Sequence, residues 1–140
     1  MLISVPGPPE GEALLRWIAR EIEYVGGTTS IDLYADEELA DPRKISAFSE
    51  LRSQAMSGDP QGRARDRFVA HPLDLSRERD VQAFSLLATD VIYLESIHEG
   101  RVLFASGSPN DWVEFNPPAG HVQRIVHSLR EKGMEVSRGR

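Results

Sequence analysis

Hydrophobic residues recur at helical spacing in some stretches of this chain and alternate with polar ones in others. Leu14, Leu15, Ile18 and Ile22 form one apolar stripe and predict a helix over roughly residues 10–24. Within it, Glu12 and Arg16 are correctly ordered for an i,i+4 ion pair. Gly26-Gly27 stops that helix, because glycine takes the left-handed conformation of a helix end without steric cost. Residues 29–35 then alternate: Ile31, Leu33 and Ala35 share one face of a strand, Asp32 and Tyr34 the other. A short strand over residues 2–5 precedes the first helix.

Asp41-Pro42 is a strong helix start, and Ile45, Phe48, Leu51 and Ala55 define the buried face of a helix ending near Gly58. Residues 59–66 are polar and read as a loop. Phe68-Val69-Ala70 begins a short strand that Pro72 bends or ends. Residues 79–99 fit a helix through Val81, Phe84, Leu87, Val91 and Leu94, with Gly100 as its stop. Val91 to Leu94 alone would also suit a buried strand. Residues 101–105 and 111–115 read as strands. Residues 119–132 form a last helix burying Val122, Ile125, Val126 and Leu129, before a frayed terminus. The expected fold is α/β or α+β in one domain: a small mixed sheet of four to five strands flanked by about four helices.

Composition narrows the function classes. A net charge of −6 disfavours non-specific nucleic-acid binding and suits a partner with a basic face. Without cysteine there is neither a disulfide framework nor a thiolate metal site. No long apolar run and no signal-like N-terminus are present, so a cytoplasmic protein without a membrane span is expected. His71, His98, His121 and His127 lack metal-ligand spacing.

The candidate chemistry centres on carboxylates. Asp32 on its strand and Asp74 at the end of another could hold divalent metal against phosphates, or both could be solvent-facing strand-end residues. Ser30-Ile31-Asp32-Leu33, the following Asp36-Glu37-Glu38-Leu39-Ala40-Asp41-Pro42, Pro72-Leu73-Asp74-Leu75 and Ile97 to Phe104 occur in an order that resembles minimal nucleotidyltransferase domains, the small antitoxin or modifying partners of bacterial two-gene systems. The resemblance spans roughly residues 24–105. It implies a nucleotidyltransferase-like fold, with Asp32 and Asp74 as catalytic metal ligands for Mg²⁺ and nucleotide. It also implies Asp36 as a third ligand and Gly26, Gly27 and Ser30 as the cofactor-binding turn. The sequence departs from that pattern: Gly26-Gly27 sits too close to Asp32, and Ser30 stands where the first aspartate belongs. The implied role is therefore a catalytically degenerate, protein-binding component of an antitoxin or defence type. An acidic immunity or adaptor protein with no nucleotide site is the alternative, and an active transferase the third reading.

Two surfaces suit a protein partner. Arg65 and Arg67, with Arg63, alternate and could grip an anion, or form a solvated loop. Trp112 alternates away from Val113 and Phe115, either as an interface anchor or packed under the last helix. Trp17 lies off the main stripe of its helix and could join it.

Overall fold

The computed structural model describes residues 1–34, 38–58, 67–91, 93–106 and 111–137, with only the backbone of Arg67. Strands are β1 (Leu2–Ser4), β2 (Thr28–Tyr34), β3 (Arg67–Leu73), β4 (Leu94–His98), β5 (Arg101–Ser106), β6 (Trp112–Phe115) and β7 (Val136–Ser137). Helices are α1 (Glu10–Val25), α2 (Pro42–Gly58), α3 (Glu78–Leu87) and α4 (Val122–Glu131), the last entered through a 3-10 turn at Ala119–His121. The strands form one sheet in the order β3-β2-β4-β5-β6-β1-β7. Every pairing is antiparallel. This corrects the expected mixed sheet of four to five strands: the architecture is α+β with seven.

The extra strands have identifiable origins. The helix expected over 79–99 ends at Leu87, and Leu94–His98 becomes a strand paired on both sides, with β2 and with β5. The turn between β4 and β5 places Glu99 at φ 51° and Gly100 at φ 76°. Two successive left-handed residues close a tight hairpin, so Gly100 is a hairpin residue and not a helix stop. At the far edge β1 is sandwiched between β6 and the two-residue β7, which adds Val136 and Ser137 to the sheet. Pro72 does not end β3, which runs to Leu73. As the outer strand it tolerates a residue with no N–H to donate.

The helices share one layer. Ile31 and Leu33 of β2, Phe104 of β5, Val113 and Phe115 of β6 and Ile3 of β1 are all essentially inaccessible. They meet Leu14, Leu15, Ile18 and Ile22 of α1, Phe84 and Leu87 of α3, and Ile125 and Leu129 of α4 in one core. Burying each such side chain contributes about 1.5–3 kcal/mol. Arg124 of α4 donates to both carboxylate oxygens of Glu21 on α1 at 2.9 and 2.8 Å. The Lys132 ammonium sits 4.9 Å from the Trp17 ring centre.

Two local expectations change here. Glu12 pairs with Arg43 of α2 and Arg16 with Glu78 of α3, in place of the i,i+4 pair within α1. Ile45 is 44% exposed, leaving Phe48, Leu51 and Ala55 to bury α2.

Candidate functional site

Burial alternates along β2: Thr29, Ile31 and Leu33 are buried, while Ser30, Asp32 and Tyr34 are partly open. One sheet face therefore lies under the helices, and among the described residues no helix covers the other. A single cross-strand row traverses that open face. It runs Pro72, Ser30, Glu95, Ala105, Glu114, Leu2, Ser137, one residue from each strand. Strands lie about 4.8 Å apart, so Glu95 and Glu114, two strands apart, are separated by roughly 10 Å.

Tyr93 leads into β4 and organises the acidic part of this face. Its phenol donates to Glu95 Oε2 at 2.7 Å, and its carbonyl accepts the N–H of Asp32 at 3.0 Å. The hydrogen bond to Glu95 is the main reason the phenol is pushed up to about 12. Partial burial and the charges of Glu95, Asp32 and Glu114 add to it, so all three carboxylates act on one phenol. None of the ion pairs among the described residues uses these three. Glu114 Oε1 instead accepts from the Asn116 amide at 2.8 Å, and its charge also reaches the amino group of Met1. Leu2, Tyr93 and Val102, each more than a third exposed, add apolar area.

The residues singled out in the sequence do not converge. Thr29 pairs with Leu73, which puts Asp74 just past the end of β3 beside Thr28. Asp32 lies four residues farther along β2, roughly 13 Å away. Its carboxylate is occupied by the β3 backbone, accepting the N–H of Ala70 at 2.8 Å. Asp74 shapes the turn before α3: its Oδ1 accepts the N–H and the hydroxyl of Ser76 at 3.0 and 2.5 Å. Those bonds, the hydroxyl first, hold its carboxyl below the usual range. Asp36 lies outside the described residues. Among them, no three His, Asp or Glu side chains are grouped to hold a metal.

The glycines are committed to α1. Gly26 takes φ 85° and donates its N–H to Glu23, and the N–H of Gly27 goes to Ile22. These amides close the helix and do not face a phosphate site. Ser30 sits between Pro72 and Glu95 in mid-sheet. A nucleotide-binding turn formed by Gly26, Gly27 and Ser30 is therefore not what these residues build.

Trp112 points to the open face with Glu114, since Val113 between them is buried against the helices. Trp17 packs on the helix side under Lys132. The two tryptophans thus serve opposite sides of the sheet and form no joint surface. Arg65, with the Arg67 side chain, lies outside the described residues. Sequence reasoning missed Tyr93 and Glu95 because a helix was expected over 79–99; the alternation Tyr93, Glu95, Ile97 is the signal that marks them. Glu114 lies on a strand that was expected, and an acidic residue there carries no mark of its own.

No helix among the described residues is long and apolar enough to cross a membrane. Comparison with protein-family models, with curated proteins and with solved structures finds no match.

Proposed function

We propose that this chain is a protein-binding adaptor, of the immunity or antitoxin kind, that receives a partner's Lys- and Arg-bearing surface on its open sheet face. The observation that carries this reading is the grouping of Asp32, Glu95 and Glu114 around Tyr93 on a sheet face that no described helix covers, with Trp112, Leu2 and Val102 beside them. Six strand spacings of about 4.8 Å and five residues of about 3.3 Å give a face of roughly 500 Å². That is a large share of the ~800 Å² per partner of a standard protein interface. A small molecule needs concavity to bury most of its surface, and a sheet face is better suited to a broad partner. The overall charge of −6 would steer a basic partner toward it. An active transferase lacks this support, because Asp32 and Asp74 sit at different ends of the β2–β3 pair.

The test is site-specific photo-crosslinking in cells. A crosslinking residue at Ala105, in mid-face, should capture a partner, while one at Gln123 on α4 should not. The captured protein, purified and titrated against the chain, should lose binding to the double variant Glu95→Lys, Glu114→Lys. Equal capture at both positions, or undiminished binding by that variant with an unchanged melting profile, would rule the open face out.

A further inference from the structure

A cleft of about 310 Å³ lies between α4 and the outer strands of the sheet. Its size is at the lower end of the roughly 300–1,000 Å³ of ligand pockets. Val122 and Val126 of α4, Phe115 of β6 and Val136 of β7 supply most of its apolar lining. Val136 pairs with Ile3, which is fully buried under the helices, so the cleft belongs to the helix side of the sheet and not to the open face.

Helical periodicity marks Val122 and Val126 for burial along with Ile125 and Leu129. Only Ile125 and Leu129 reach the core; the two valines stay half exposed along the cleft. Val122, Val126 and Arg130 follow one another at i, i+4 and i+8 on a single ridge of α4, and Arg130 lines the cleft as well. That ridge is about 12 Å long.

The Arg130 guanidinium makes no ion pair or hydrogen bond among the described residues. It is not spent on the helix end either, because the N–H groups of Lys132, Met134 and Gly133 take the carbonyls of Ser128, Leu129 and Arg130. The charged groups around it are engaged or elsewhere. Glu131 pairs with His127, Lys132 lies over Trp17, and Arg124 holds Glu21. Glu135 is exposed and does not line the cleft. Arg138 and Arg140 lie outside the described residues. Asn116 and Met1 line it, but the Asn116 amide donates to Glu114 and its Oδ1 accepts from the Met1 amino group at 2.7 Å. No carboxylate lines the cleft among the described residues.

An apolar wall of this length with one free cation calls for an apolar tail and a single anionic head. A peptide fits it poorly, since its backbone N–H and C=O groups would lie unpaired against the valines. We propose that this cleft binds a free medium-chain fatty acid. Its carboxylate accepts from the Arg130 guanidinium, and its chain covers Val126 and Val122. This site is independent of the open sheet face.

Titration calorimetry of the whole chain with octanoate tests it. Octan-1-ol and octylamine carry the same tail without the anion, and hexanoate carries the same head on a shorter tail. Octanoate should bind saturably, and about tenfold or more tightly than the alcohol or the amine, because only the carboxylate forms charge-assisted hydrogen bonds with the guanidinium. Hexanoate should bind about tenfold more weakly, at roughly fourfold per lost methylene. Arg130→Gln, at an exposed position, should fold normally and weaken octanoate binding by about tenfold. Val126→Phe fills the cleft from α4; it should melt like the parent and lose octanoate binding. No saturable heat with millimolar octanoate would overturn the proposal. So would equal affinity for octanoate and octylamine, or undiminished octanoate binding by either variant.

Discussion

Asp32 and Ala70 are joined across a β-bulge: the carboxylate accepts the Ala70 N–H at 2.8 Å while Ala70 itself takes φ 56°. Ile31 pairs with His71 and Leu33 with Phe68, so Asp32 alone faces both Val69 and Ala70. The extra residue lets Phe68 and Leu73, five positions apart, both turn toward the helices. Asp32 stabilises the irregularity that sets the register of the outer strand.

Asp32→Ala should therefore lower stability by about 1 kcal/mol, a typical value for one hydrogen bond near the surface. Asp32→Asn keeps an acceptor and should cost less. Ala70→Gly should raise stability by a few tenths to about 1 kcal/mol, because a left-handed conformation is strained for alanine and free for glycine. Urea unfolding of the three variants checks the series. A loss on Ala70→Gly as large as that on Asp32→Ala would contradict this account of the bulge.

Gly27 is required for packing. A Cβ there would lie 2.7 Å from Leu103 Cδ2 and 2.8 Å from Ile22 Cγ2, both in the core. Gly27→Ala should destabilise by about 1–3 kcal/mol through overpacking. Gly26→Ala, strained by its positive φ but spatially open, should cost about 1 kcal/mol. Thermal melts of the two would separate crowding from backbone strain.

The Tyr93 phenol gives the fold an alkaline titration. Its value in the folded protein, about 12, lies above the ordinary 10.0, so the folded state favours the neutral phenol. The associated stabilisation is fully present below pH 10 and is lost as pH rises through 12. Ultraviolet titration of the folded protein should show one tyrosine ionising near 12. Glu95→Gln should bring it down toward 10, since the carboxylate acceptor is the largest cause of the shift. An unmoved titration in that variant would mean the hydrogen bond is not responsible.

Thr29 and Ser96 share a buried hydroxyl–hydroxyl bond of 2.7 Å beneath the helices. Thr29→Val alone leaves the Ser96 hydroxyl unpaired and should cost about 1–3 kcal/mol. Thr29→Val combined with Ser96→Ala removes both polar groups and should cost less than the two single losses added together. A double-mutant cycle in denaturant measures that difference.

The candidate site was only partly legible. Asp32 stood out by residue type and strand position, and its outward direction followed from alternation with Ile31 and Leu33. What it touches did not, because Ala70 is 38 residues away. Glu95 and Glu114 are ordinary acidic residues in the sequence. They join Asp32 only after β4 and β6 take their places in the sheet.

Local periodicity alone determined α1, α2, β2, β5, β6 and α4 to within a few residues, since the 3.6- and 2-residue repeats of apolar side chains are properties of neighbouring positions. It determined as well that Gly26-Gly27 ends a helix. Tertiary structure decided the rest. The apolar run over 91–94 fits helix and strand equally by period; α3 ends at Leu87 and β4 begins only at Leu94, where pairing with β2 and β5 selects strand. Glu12 and Arg16 were spaced to meet each other, yet Arg43 and Glu78 arrive from other helices and take them instead. Strand order and the open acidic face both depend on contacts between distant segments, which have no signature in any one of them.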